Sequence, residues 1–187
     1  MGGFWTDNQV EPKRQFRFLL SLSPAENSDV LHSYYVRSAK LPQFQMDGVT
    51  EVKYVQHTFK YPGRITWQPI DVTIIDPGSP DAAAVMMNII RGSGYLSPST
   101  PKAAEQSISK AKSNSAMGGI FLRQINANGD PISEWKLKNP FLTNVDFGTQ
   151  GYDSDDLVEY TLTIDYDYAT YKTMGSTKVA GEVSHTG

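Results

Sequence analysis

The chain has 187 residues, 17 of them basic and 20 acidic, for a net charge of −3, and it contains no cysteine. That length buries a core without metal or disulfide staples, and the missing thiols exclude disulfides, cysteine nucleophiles and cysteine-based zinc sites. Charges of both signs are interspersed, so no basic surface large enough to grip a phosphate backbone is expected.

Residues 1–14, polar and holding Gly2, Gly3 and Pro12, read as an arm whose order depends on a neighbour. The opening run MGGFWTDNQVEPKRQFRF has no apolar signal core. No later run reaches the roughly eighteen apolar residues of a membrane span, so synthesis in the cytoplasm without membrane insertion is expected. A single β domain is expected over 15–171. In it FRFLLSL reads as a buried strand closed by the turn cluster SPAENS, and SYYVRSAKL (33–41) as a second strand. PQFQMDG then reads as a loop with Asp47-Gly48 at its tip, and EVKYVQHTFKY (51–61) as the returning strand, which makes 33–61 a long hairpin. After a turn at Pro62-Gly63, RITWQPIDVTIID reads as a fourth strand, with Pro69 at an edge or bulge because it cannot donate to a ladder.

Ser79-Pro80-Asp81 supplies a helix start, with Pro80 at the first helical position. Ala82, Val85, Met86, Ile89 and Ile90 follow at helical spacing and predict a helix ending near Gly92. Residues 93–119, small, polar and rich in Gly and Ser, read as an exposed excursion with a short helix opened at Thr100-Pro101. IFLRQI and PISEWKLKNPFLTNVDF flank Asn128-Gly129-Asp130 and read as a hairpin, and GTQGYDSDD reads as a further turn. In the last strand Val158, Tyr160, Leu162, Ile164, Tyr166 and Tyr168 share one face, and Glu159, Thr161, Thr163, Asp165 and Asp167 share the other. Residues 172–187 carry no period and read as a loose tail.

Chemistry finds little to stand on. His32, His57 and His185 lack the partner spacing of helical metal sites, and a lone strand histidine is more simply a packed residue. Asp153, Asp155 and Asp156 alternate like calcium ligands, yet the glycine and closing glutamate of an EF-hand are missing, which favours a solvated turn. No G-x-S-x-G elbow is present, and the glycines of GGFW, RGSG and AMGG match neither a P-loop nor a dinucleotide fingerprint. Trp67 and Trp135 sit mid-strand, where packing competes with the alternative of stacking a sugar in a carbohydrate-binding β-sandwich. No catalytic residue, metal site or cofactor emerges.

Taken in order, FRFLLSL, the strands ending in KYPGRITWQPIDVTIID, the helix, INANGDPISEWKLKNPFLTNVDF and LVEYTLTIDYDYATY resemble the tail tube proteins of contractile-tailed bacteriophages. These are relatives of the tube proteins of contractile injection and type VI secretion systems. Pro62, Gly63, Arg64, Asn128, Gly129 and Trp135 carry the structural part of the likeness. The resemblance implies a mainly-β fold: two packed antiparallel sheets forming a barrel or sandwich, with one flanking helix and a long hairpin. It also implies assembly into hexameric rings stacked as a tube.

The implied function is a conduit for genome delivery inside a contractile sheath, in a virion tail assembled in the host bacterial cytoplasm. The implied partners are further copies, sheath, tape-measure, baseplate and tail-terminator proteins, with DNA passing through unbound. A tube initiator at the baseplate or a secretion-system tube protein fits the same pattern, and the 93–119 excursion departs from the shorter members. Exposed apolar residues at a hairpin tip mark Leu41, Phe44, Met46, Asp47 and Gly48 as subunit contacts. The alternating acids mark Glu159, Asp165 and Asp167 as channel-lining candidates.

Overall fold

Period-two alternation organises the fold. In IDVTII, Ile70, Val72 and Ile74 are buried while Asp71 is exposed, and in EYTLTID Tyr160, Leu162 and Ile164 are buried between half-exposed neighbours. A computed structural model describes residues 12–23, 35–79, 81–99, 101–153 and 155–174. Its strands in chain order are β1 (Phe18–Ser23), β2 (Val36–Ala39), β3 (Gln43–Asp47), β4 (Thr50–Tyr54), β5 (His57–Tyr61), β6 (Arg64–Gln68), β7 (Ile70–Ile75), β8 (Gly119–Ile125), β9 (Pro131–Lys138), β10 (Phe141–Asp146), β11 (Glu159–Asp165) and β12 (Tyr168–Thr173). Helices α1 (Ala82–Gly92), α2 (Pro101–Ala104) and α3 (Lys110–Met117) lie between β7 and β8.

Two four-stranded antiparallel sheets, in the orders β1-β8-β9-β12 and β10-β11-β7-β2, share one core. Leu20, Leu22, Ile120, Leu122 and Leu137 come to it from the first sheet, and Ile70, Val72, Ile74, Tyr160, Leu162 and Ile164 from the second. Helix α1 adds Ala82, Val85, Met86 and Ile89. Among the described residues no strand pairing closes the sheets into a barrel, so the architecture is a sandwich.

One two-stranded ribbon belongs to both sheets. β9 pairs with β12 in the first and β10 with β11 in the second, and the chain turns the corner at Asn139-Pro140 and again at Tyr166-Asp167. Asn139 adopts φ 53°, a left-handed conformation that asparagine tolerates, and Pro140 cannot donate to a ladder. The Asp167 N–H donates to the Lys138 carbonyl at 3.0 Å. Its carboxylate accepts from Asn139 Nδ2 at 2.6 Å and from Lys110 Nζ at 2.6 and 2.8 Å.

This corner corrects two expectations from the sequence. The return strand over PISEWKLKNPFLTNVDF is two strands in different sheets, and the last strand breaks after Asp165. Tyr166 ends its buried row, and Tyr168 belongs to the other sheet and is exposed.

Other differences follow from turns. The long hairpin spans 43–68 rather than 33–61, because EVKYVQHTFKY reverses at Val55-Gln56. Pro62-Gly63 is a joint within one arm, not the turn between two strands. The predicted fourth strand divides at Pro69 into β6 and β7, and β2 pairs with β7 through Val72–Ile74.

The cap of α1 is Asp81, whose carboxylate accepts from the Ala84 N–H at 3.2 Å, rather than Ser79. Within 93–119 the side chains of 95–99 and 105–112 are exposed, but α3 packs on α1 and β10 and sends Ser113 and Met117 into the core. The wholly exposed reading of this segment therefore stops at α3. The Asn128-Gly129-Asp130 turn forms as expected: Gly129 has φ +89°, and Asn126 Oδ1 accepts from the N–H groups of Asn128 and Asp130. The turn expected at 24–28 and residues 175–187 lie outside the described residues.

Asp76 joins β7, α1 and β11. Its carboxylate accepts from the Tyr160 hydroxyl at 2.8 Å and from the N–H groups of Gly78 and Ala82. Burial pushes its pKa up, but these hydrogen bonds outweigh that and hold it below the ordinary carboxylate value. A depressed folded-state pKa contributes stability above the unfolded value and loses it as pH falls through the folded one. Tyr160→Phe is therefore expected to cost about 1 kcal/mol at neutral pH. That gap should narrow in acid, where a protonated Asp76 is the weaker acceptor, and urea melts at both pH values check the sign. Ile89→Ala, which empties a core site, should cost about 2–5 kcal/mol. An unchanged unfolding midpoint would remove α1 from the core.

Candidate assembly surfaces

The hairpin arm departs from the sandwich as two successive pairs, β3 with β6 and β4 with β5. Directly opposed residues share a face, so Phe44 and Trp67, Met46 and Ile65, Val52 and Phe59, and Tyr54 and His57 form apolar or aromatic cross-strand rungs on alternate positions. The intervening rungs are polar: Gln45 with Thr66, Asp47 with Arg64, Glu51 with Lys60, Lys53 with Thr58. Read as one continuous strand, 51–61 has no wet side. The reversal at Val55-Gln56 changes the phase and places Val52, Tyr54, Phe59 and Tyr61 together.

Phe44 is 50% exposed, Met46 52%, Tyr54 70% and Val55 87%. Among the described residues the arm touches the core at its root, where Trp67 meets Phe44 edge-on at 5.4 Å and Tyr166 at 5.9 Å. The joint between the two pairs needs two glycines. Gly48 has φ +69°, and a Cβ on Gly63 would collide with the carbonyl oxygens of Asp47 and Gly48.

The expected contact residues Phe44, Met46, Asp47 and Gly48 thus fall on one strand and its joint, and the Asp47 carboxylate accepts from the Thr66 hydroxyl. Leu41 stands apart, in a groove between β1 and β2 with Phe16, Phe18 and Leu122. Glu159 and Asp165 lie on the outer face of the second sheet. Register places Asp71 opposite Thr163, Asp146 opposite Thr161 and Glu159 opposite Ile75 on that same face. Asp71 and Asp146 extend the acidic row, and the alternation of IDVTIID carries the signal for Asp71.

Arg37, at the bulge in β2, pairs with Glu159. Asp167 is not on this face. It sits at the ribbon corner, where the hydrogen bond from Asn139 and then Lys110 lower its pKa.

His57 stands near Phe59, ring centroids 6.4 Å apart, on the exposed arm. His32 and His185 lie outside the described residues. Among the described residues no group of three His, Asp or Glu is placed to hold a metal ion, and no helix is long and apolar enough to cross a membrane. Trp135 packs on Tyr171 at 4.8 Å and, like Trp67, lies against the core, so neither forms an open stacking platform.

Neither a family model nor a curated protein matches this chain. Solved structures do. A chain of the anti-feeding prophage baseplate superposes with a TM-score of 0.60 at 11% identity, covering 88% of this chain and 97% of that one. A chain from the sheath/tube terminator of an extracellular contractile injection system, PVC, in the extended state gives 0.58 at 16%, covering 88% and 99%. One from the PVC sheath-tube complex in the extended state gives 0.53 at 16%, covering 87% and 93%. At these identities the likeness establishes the fold, which is the one the tail-tube resemblance implies.

Gly63→Ala should break the joint and leave the sandwich folded. Hydrogen exchange is expected to lose protection at the β4–β5 rungs while the amides of β7 and β11 stay protected. Retained protection in β4 and β5 would mean the joint tolerates a side chain.

Proposed function

We propose that this chain is a structural subunit of a contractile tail or injection particle, forming hexameric rings that stack into a tube inside a sheath. The observation that carries the reading is the two-way coverage: nearly the whole chain superposes on nearly the whole of chains from an anti-feeding prophage baseplate and an extracellular contractile injection system. The exposed apolar arm supports it, because a free two-stranded hairpin of this composition is marginal in water and a neighbouring copy covers it. In the phage form of this reading the tube carries genome DNA, is laid down around a tape-measure protein between baseplate and terminator, and resides in the virion tail.

The channel is lined by the outer face of the second sheet, with Asp71, Glu159 and Asp165 repeated in every ring. A duplex carries one negative charge about every 1.7 Å, so a basic lining holds the cargo along its length and an acidic one lets it slide. A second reading, a ring at one end of the tube, is favoured by the baseplate and terminator among the similar structures. Negative-stain microscopy of the purified chain separates them: long tubes fit the main subunit, isolated rings fit an end protein, and a persistent monomer refutes both.

Phe44→Ser with Met46→Ser should leave a folded subunit with little change in melting temperature, since both side chains are half exposed, but should abolish stacking. Tubes of normal length from that variant would remove the arm from the contact. Replacing Asp71, Glu159 and Asp165 with lysine should preserve rings and create salt-dependent affinity for duplex DNA where the parent has none. Tight duplex binding by the parent tube would refute the acidic channel.

A further inference from the structure

The two outer faces of the sandwich carry opposite charge. On the second sheet the four acids Asp71, Asp146, Glu159 and Asp165 meet, among the described residues, two bases at the β2 edge: Arg37, paired with Glu159, and Lys40, whose N–H donates to the Asp71 carbonyl. On the first sheet, register puts Arg123 opposite Glu134 and Glu134 opposite Lys172, Phe121 opposite Lys136 and Lys136 opposite Thr170, and Lys138 opposite Tyr168. Among the paired residues of these strands that outer face therefore holds four bases, Arg123, Lys136, Lys138 and Lys172, and one acid, Glu134. Glu134 is engaged by Arg123 at 2.6 Å. Among the described residues Lys136, Lys138 and Lys172 have no carboxylate partner, although Lys136 and Lys138 stand about 7 Å apart on one strand.

We propose that the outer face of the first sheet is the docking surface for an acidic protein layer surrounding the assembly, centred on Lys136, Lys138 and Lys172. The proposal rests on the tube reading given above, in which the acidic sheet faces the channel and the basic sheet faces outward.

Three observations favour a protein over a nucleic acid. The ring at the centre, Phe121, is already covered by cations, with Arg123 at 5.4 Å and Lys136 at 5.1 Å from its centroid, and the other ring of the face, Tyr168, stands alone on the edge strand, so no run of rings is open to stack successive bases. Arg123 is also held by Glu134 and is not free for a phosphate. Finally, the face is small. Four strands about 4.8 Å apart and six residues long span about 400 Å², against about 800 Å² per partner for a stable isolated complex. A patch of that size holds weakly alone and gains strength by repetition, which fits a partner that is itself a repeating array.

The test uses particles that contain the chain and a K136E/K138E/K172E variant, with K136R/K138R/K172R as the charge-preserving control. Zero-length carbodiimide coupling joins a lysine amine to a carboxylate in contact. Mass spectrometry of the parent particle should find Lys136, Lys138 or Lys172 joined to Asp or Glu of a different polypeptide. Microscopy should find rings in all three proteins, because these side chains are solvated in the subunit. Partner retained per ring should fall about tenfold in the glutamate variant and stay near the parent level in the arginine control.

Cross-links to another copy of this chain, or amines equally open to acetylation in the subunit and the particle, would overturn the inference while leaving the tube reading intact. So would a short DNA duplex bound by the parent at physiological salt and released by the glutamate variant. Failure of the chain to form rings or enter any particle would overturn the tube reading and this inference with it.

Discussion

The fold depends on one bent ribbon. Both sheets contain the pair that runs through Asn139 and Asp167, so this corner fixes how the sheets face each other and which residues of each reach the core. A corner exposes backbone that neither ladder can satisfy, and here Asp167 answers most of that demand: its N–H meets Lys138, and its carboxylate meets Asn139 and Lys110. Lys110 opens α3, so the ion pair that steadies the corner also pins the end of the segment between α1 and β8. The Ser109 N–H closes that segment on the Ser93 carbonyl at 3.3 Å, and Met117 seals it in the core. A stretch with little hydrophobic period is thereby anchored at both ends while its middle stays in solvent.

The hairpin arm obeys the opposite economy. Inside the sandwich each apolar face is buried by the other sheet or by α1. Among the described residues the arm has rungs of the same composition with no second layer over them, and Trp67 at its root meets the core through Tyr166. Burying a Phe or Tyr yields about 1.5–3 kcal/mol, so several such side chains left in water represent free energy released only on contact. Gly48 and Gly63 let the arm bend at its middle without breaking the pattern of rungs. Among the described residues the arm is a layer without a second layer, and that open apolar face is what the proposed assembly would cover.

Much of this was legible in the sequence. Strict alternation revealed β7 and the buried row of β11, and the spacing of Val85, Met86 and Ile89 revealed α1, because each pattern is a direct image of one buried face. The failures share a cause: a strand that changes partners keeps its alternation, so period alone does not mark the break. Asn139-Pro140 is a break signal but lies within an otherwise unbroken strand pattern, and Tyr166-Asp167 offers no glycine or proline. Val55-Gln56 is a still poorer turn signal, since valine at φ 53° goes against its own preference. Placing the reversal there required the cross-strand pairing, and with it came the apolar face that linear reading of 51–61 could not assemble. Phe44 and Met46 were found as exposed apolar residues, but they lie on a regular strand rather than on a loop tip. Of the three acids expected on one face, Asp167 was lost to the corner, while Asp71 and Asp146 joined through register that only the folded sheet defines.

Net charge was the least informative quantity for the same reason. A total of −3 suggests a nearly uniform surface, yet the sandwich separates the signs by strand face, which no sum over the chain detects. On each strand the residues of one parity enter a common core and those of the other parity face solvent. Two sheets packed on one core therefore turn their polar residues in opposite directions. Segregation of charge between the two outer faces needs nothing further than acids at the outward positions of β7, β10 and β11 and bases at those of β8, β9 and β12. Once the ribbon has turned its corner, β9 with its lysines and β10 with its acid look opposite ways although they are joined through Asn139 and Pro140. The corner that sets the packing of the core thus also sets the electrical polarity of the sandwich.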